Sequence, residues 1–128
     1  MKRITAESIK SFVNSGNIPL TATQTKLCIP IIFRMCQKMT HGIKFDEIKV
    51  CGDLIIDGHH RYLSALMTNF DIGKVESNAT SATRATKWKE VEFDEKDWDT
   101  PARIAHLNEQ DAKYNGLELE FVKQITSD

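Results

Sequence analysis

The residues best suited to chemistry are six in a row, Asp57-Gly58-His59-His60-Arg61-Tyr62. A short apolar run, 54–56, precedes them, and apolar residues at helical spacing follow, which places them between a predicted strand and a predicted helix. A helix entered through a glycine presents free backbone N–H groups at the positive end of its dipole. The pattern therefore favours the binding of an anion such as phosphate.

The side chains of this segment extend that prediction to specific roles. Arg61 carries a planar, permanently charged fork that fits a phosphate group through two hydrogen bonds. His59 and His60 ordinarily titrate near neutral pH, so either is a candidate general acid or base. Asp57, at the end of the strand, is a candidate to orient a histidine or hold a metal ion, with a turn or cap role as the alternative. We predict His59, His60 and Asp57 as catalytic, and Gly58, His60 and Arg61 as ligand-binding residues.

The elements before this segment are predicted to carry it on a short sheet. Pro30 is typical of a first helical turn, and His41-Gly42 is a natural helix end. Two short strands follow, at 48–50 and 54–56, with a tight turn between them. The helix that starts at Pro30 should bury one apolar face, either in the core or against a second copy of the chain: Ile31, Ile32, Met35, Cys36 and Met39.

The ends of the chain are less regular. A short helix with Thr5 as its N-cap is predicted first. Strands are predicted within 73–78 and around 88–93, and the tail at 117–122 fits either a strand or a helix. A further helix should start at Asp99 or Thr100, before Pro101, with an apolar side that comprises Ile104, Ala105 and Leu107.

Length and charge limit the classes of function. The chain has 128 residues, which indicates one domain over 1–128, and its formal net charge is −1. A binder of duplex DNA usually has a basic excess, so nucleic acid is disfavoured as a partner relative to a small anion. Three cysteines without a CxxC pair indicate reduced thiols and a cytoplasmic setting. No run long enough to span a membrane or form a signal peptide is seen, although a toxin domain excised from a larger delivered protein would look the same.

The run Ile55-Ile56-Asp57-Gly58-His59-His60-Arg61-Tyr62 resembles the strand, D-G-x-H-R, helix signature of ParB-like and sulfiredoxin-like domains. The resemblance covers roughly 42–67, with further similarity in Gln24 and in a helix that ends at glycine. It implies an α+β fold with a short mixed sheet and flanking helices. It also implies that Gly58, His60 and Arg61 contact nucleotide phosphates. His59 stands where sulfiredoxins have their catalytic cysteine, so reduction of sulfinic acids is not expected.

The resemblance implies ATP or another nucleoside triphosphate as ligand, with Mg²⁺ as a candidate second cofactor. Its members include nucleotide hydrolases, phosphotransferases, nucleases and bacterial toxin domains, and the fold does not choose among them. Our first expectation is a nucleotide hydrolase or phosphotransferase. Two alternatives stay open: a metal-dependent nuclease that uses the His59-His60 pair, and a non-catalytic module that senses a nucleotide or binds a protein partner.

Overall fold

The computed structural model describes residues 4–127, which form helices around two small sheets. Each strand has three or four residues, so the helices supply most of the packing surface. The α+β class expected from the sequence is confirmed. The helices are α1 (Ala6–Ser15), α2 (Ile29–Thr40), α3 (His59–Thr68), α4 (Pro101–Asn115) and α5 (Leu119–Thr126), and the strands are β1 (Lys26–Cys28), β2 (Ile48–Cys51), β3 (Leu54–Asp57), β4 (Lys74–Glu76) and β5 (Glu92–Asp94).

The larger sheet is mixed and has the order β3-β2-β4, with β2 antiparallel to β3 and parallel to β4. The smaller sheet pairs β1 with β5 in parallel. The segment before β1 connects the two sheets, because Thr21 bridges to Leu54 of β3 and Ala22 bridges to Thr86. We call residues 20–28 the linking segment, since it borders both sheets and leads directly into α2.

The core is formed by helices α1, α2 and α3 together with residues of both sheets. Ile32 of α2, Ile55 of β3 and Leu63 of α3 are all fully buried in it. Burial of such branched apolar side chains stabilises the fold by roughly 1.5–3 kcal/mol each. A separate small cluster forms where α4 and α5 meet the end of α2: Ile43, Ala112, Val122 and Ile125.

The local signals read from the sequence are largely confirmed. Thr5 caps α1 and accepts a hydrogen bond from the Ser8 N–H, and Thr100 caps α4 in the same way from Arg103. α2 has a proline in its first turn and ends at His41. The two strands at 48–57 form the expected hairpin around a tight turn at 52–53.

Three expectations need correction or completion. The strand expected around Trp88 begins only at Glu92, because residues 88–90 form a short 3-10 helix whose tryptophan is buried. The ambiguous tail is helix α5. The apolar side expected for α4 is wrong in part, since Ala105 is exposed and the helix buries only Asn108 and Ala112.

Candidate functional site

The chain enters α3 through a turn that only glycine fits. Gly58 is the N-cap and has a φ of 101°, in the region that favours glycine. A Cβ built there would lie 2.6 Å from Ile48 Cγ2 and 2.8 Å from Arg61 Nη2. Both the conformation and the available space therefore require Gly58. Among residues 4–127 no side chain caps the helix at this end, which leaves its first N–H groups to solvent or a ligand.

Three aromatic side chains at the start of α3, a region we call the helix entry (residues 58–62), hold the linking segment in place. Each accepts a hydrogen bond from a backbone N–H of that segment. These contacts join residues more than 30 positions apart in the chain. They are His59 Nε2 to the Thr23 N–H (2.9 Å), His60 Nε2 to the Cys28 N–H (2.9 Å) and Tyr62 Oη to the Leu20 N–H (3.1 Å).

Acceptance at Nε2 fixes the protonation state of both histidines. A ring nitrogen that accepts must be unprotonated, so each imidazole is neutral and carries its proton on Nδ1. Burial agrees with this state, since it lowers the pKa of His59 to about 4 and is the main cause that lowers the pKa of His60 to about 4, with a further contribution from repulsion by His59 when that ring is protonated. Both rings are therefore uncharged at neutral pH.

The two histidines differ in what remains accessible. His59 is only 2% exposed, and its Nδ1 is buried without a hydrogen-bond partner among residues 4–127. His60 is half-buried, packs edge-to-face against Trp98 at 5.5 Å, and lines an open cleft. Only the second of the two predicted catalytic histidines is thus placed to touch a ligand in that cleft.

Arg61 and Asp57 form a pair at the mouth of the helix. Arg61 Nη2 lies 3.6 Å from Asp57 Oδ2 and donates a hydrogen bond of 3.4 Å to the Glu47 carbonyl. Asp57 is largely exposed at the end of β3, and it does not line the cleft that Arg61 borders. An exposed pair of this kind is worth about 0–1 kcal/mol, so a phosphate can compete for the guanidinium.

The cleft lies between α2 and α4 and has a volume of about 910 Å³. We call it the α2–α4 cleft. Each helix lines the cleft with one face, whose residues we call its stripe. The spacing is i, i+4, i+7 and i+11 on α4, and i, i+3, i+4 and i+7 on α2. The α4 stripe is Arg103, Leu107, Gln110 and Tyr114, and the α2 stripe is Ile31, Arg34, Met35 and Lys38.

Among residues 4–127, five cationic side chains and three carboxylates line this cleft, and two further carboxylates beside it, Asp57 and Asp97, pair with lining arginines. Two of these cations are held in close ion pairs, whereas the pair of Arg61 with Asp57 is longer, at 3.6 Å. Arg34 holds Asp97 through two bonds of 2.7 and 2.9 Å, and the nearly buried Lys38 bonds Asp111 at 2.6 Å. The remaining lining cations are Lys44, Arg61 and Arg103.

The cleft residues outside the Asp57–Tyr62 segment were not predicted as functional. Arg34 and Lys38 lie outside the apolar face predicted for α2, yet Lys38 is buried. The spacing of Arg103, Leu107 and Tyr114 is a visible helical stripe. This spacing alone does not identify a wall of the cleft, because the local sequence does not show which element a half-polar helix face packs against. The position of α4 in the fold is needed for that.

No metal site built from protein side chains is found among residues 4–127. Groups of three or more His, Cys, Asp or Glu side chains close enough to hold a metal do not occur there. The metal-dependent nuclease considered from the sequence gains no ligand set from this geometry.

Comparisons with family models, with curated proteins and with solved structures gave no significant match to this chain. The similarity to ParB-like and sulfiredoxin-like domains thus stays an expectation from the Asp57–Tyr62 segment. Within the described part of the chain, no helix is both long and apolar enough to cross a membrane.

Proposed function

We propose that this protein binds a nucleotide in the α2–α4 cleft, with its phosphates at the N-terminus of α3. The observation that carries the proposal is that His60 and Arg61, from the helix entry, line the same cleft as Lys44 and Arg103. Its volume, about 910 Å³, is in the range of small-molecule and cofactor sites.

The phosphate would be held by three kinds of donor. The uncapped first turn of α3 offers backbone N–H groups and a positive dipole end. Arg61 can donate from its guanidinium to the phosphate, and only its weak surface pair with Asp57 is lost when it does so. His60 offers a neutral Nδ1–H, since its Nε2 accepts from Cys28.

Hydrolysis or transfer of a phosphoryl group is the activity proposed for this site, on the strength of the resemblance. For proton transfer His60 is the best-placed group, since His59 is buried away from the cleft. His60 would have to release the Cys28 N–H before its Nε2 could accept a proton.

A second candidate is a non-catalytic nucleotide-sensing module. The observation in its favour is that both histidines already use their only free lone pair as backbone acceptors. Histidines held this way are suited to shape a binding loop. The same cleft and the same Arg61 serve either function, so only turnover separates them.

The test is to measure thermal stabilisation by ATP, CTP, GTP and UTP with Mg²⁺, and to follow products by chromatography. We expect at least one nucleotide to stabilise the wild type, and Arg61→Ala to abolish the shift while circular dichroism stays unchanged. Arg84→Ala removes the same charge outside the cleft and should retain the full shift. Products would establish an enzyme, and a shift without products would favour the sensor.

Either of two results would refute the binding proposal. One is the absence of a shift with every nucleotide. The other is a shift that survives in Arg61→Ala, because the phosphates would then lie elsewhere.

A further inference from the structure

The α2–α4 cleft has a second, chemically different end. Tyr114 lies in the last turn of α4 and is 79% exposed, well above the other exposed large apolar side chains among residues 4–127. It lines the cleft on the same helical stripe as Leu107 and Gln110. A large aromatic ring in this position offers a flat face to whatever enters the cleft.

The cleft is long enough along α4 to hold an extended ligand. His60 packs against Trp98, just before α4 begins, so this proposed phosphate donor lies by the first turn of α4. Arg103 and Tyr114 are separated by eleven residues, or about 16 Å along the helix axis. An isolated phosphate group cannot contact both ends, whereas a nucleotide with a phosphate chain is elongated and carries a planar ring at its far end.

Apolar atoms line the cleft between these ends. Ile31 and Met35 of α2 and Leu107 of α4 are all half-buried and border it. These apolar side chains offer no hydrogen bond or charge to a phosphate, but they can pack against the faces of a planar ring. A methionine is well suited to this, because its thioether adapts to aromatic surfaces.

The end of α4 that carries Tyr114 is fixed in place. Asn115 accepts a hydrogen bond from the Lys44 N–H at 3.2 Å and donates one to the Asp111 carbonyl at 2.8 Å. Asp111 in turn bonds Lys38 of α2 at 2.6 Å. The exposed ring therefore stands on an anchored backbone, which lowers the entropy lost when a ligand stacks on it.

We propose that Tyr114, with Met35 and Leu107, forms a subsite for the nucleobase, and that Gln110 reads the edge of the base. This proposal rests on the proposed nucleotide-binding function. It adds the residues that would contact the base, which the phosphate contacts do not specify. Gln110 has both a donor and an acceptor, so it can pair with a base edge. Tyr114 is then a determinant of affinity for nucleotides over inorganic polyphosphate.

The experiment compares the preferred nucleotide with inorganic tripolyphosphate, both with Mg²⁺, by calorimetry on wild type and variants. Stacking of one base on an aromatic side chain corresponds to about a 5- to 150-fold change in affinity. We expect Tyr114→Ala to weaken the nucleotide by that factor and to leave tripolyphosphate unchanged. Tyr114→Phe keeps the ring and should bind like the wild type.

Phe121→Ala is the matched control, because Phe121 is an exposed aromatic residue of α5 outside the cleft lining. It should change neither affinity. If the wild type binds tripolyphosphate as tightly as any nucleotide, or if Tyr114→Ala weakens both ligands equally, the base subsite is refuted and the phosphate site stands. If neither ligand binds, both proposals fall.

Discussion

The first turn of α3 and the last turn of α4 border the same cleft but are packed in opposite ways. Five of the ten residues of α3 are buried, against two of the fifteen residues of α4. The side chains that enter α3 are tied to a segment more than 30 residues away, whereas Tyr114 of α4 stands in solvent. The start of α3 is therefore packed firmly enough to position the proposed phosphate donors. The cleft-facing residues of α4 are free of such packing and can contact a ligand.

This comparison predicts that changes at α3 reduce stability and that changes at the α4 stripe reduce binding alone. The largest expected effect is that of pH. His59 and His60 are held neutral in the fold, with the pKa of each lowered by burial to about 4, while an unfolded histidine titrates near 6.5. The unfolded state therefore binds more protons as the pH falls below 6.5, and the free energy of unfolding decreases down to the folded pKa.

Between pH 7.5 and 5 this should cost about 2 kcal/mol for each of the two histidines, measured by urea unfolding. The window lies above the range in which most carboxylates titrate. His106→Gln, on the exposed face of α4, should retain the full pH dependence, and His59→Gln should lose about half of it. A wild type equally stable at both pH values would show that the histidines are not held as neutral acceptors.

The second largest effect is expected from Gly58→Ala. The new Cβ would meet Ile48 Cγ2 at 2.6 Å in a conformation with φ of 101°, so steric overlap adds to backbone strain. We expect a loss of about 3 kcal/mol in the free energy of unfolding. Gly116→Ala, at the end of α4, is the matched control, since its φ is 62° and no other described residue has an atom within 4 Å of the added Cβ.

The control should lose only about 1 kcal/mol, from strain alone. Equal losses at the two glycines would mean that the helix entry can relax around a methyl group. The tight contact at Gly58 would then not explain the glycine.

A smaller effect is expected from Tyr62→Phe. The phenol oxygen accepts from the Leu20 N–H at 3.1 Å in a buried environment, and removing it leaves that N–H without a partner. The expected loss is about 1–3 kcal/mol by chemical denaturation. Tyr114→Phe removes the same atom from an exposed ring and should change the stability by less than about 0.5 kcal/mol. A Tyr62→Phe variant as stable as the wild type would mean that the bond to Leu20 contributes nothing.

The sequence predicted the local parts of this comparison. Gly58 after an apolar run and before apolar residues at helical spacing was enough to place the start of α3. Asp99 or Thr100 before Pro101 placed the start of α4 to within one residue, and Thr100 is the observed cap. Such signals act within one turn of the chain, so they can be read without the fold.

The sequence did not predict the contacts that set the two regions apart. His59 accepts from Thr23 and His60 from Cys28, which depends on how the linking segment passes over α3. A histidine pair has the same pattern whether it is buried and neutral or exposed and able to transfer protons. Likewise, the burial of Lys38 follows from its pairing with Asp111 of α4, a residue 73 positions away.

The smallest effect on stability is expected from Arg103→Ala, and it sharpens the comparison most directly. Arg103 is exposed on α4, so its removal should change the free energy of unfolding by less than about 0.5 kcal/mol. Its charge borders the cleft near the phosphate end, so affinity for tripolyphosphate should fall several-fold at low salt and less at high salt, because salt screens charge interactions. Arg84→Ala should leave the affinity unchanged, which a calorimetric titration of both variants will measure. If Arg103→Ala instead destabilised the fold by more than 1 kcal/mol and left binding intact, α4 would be a structural element, and the contrast between a packed α3 and a ligand-facing α4 would be wrong.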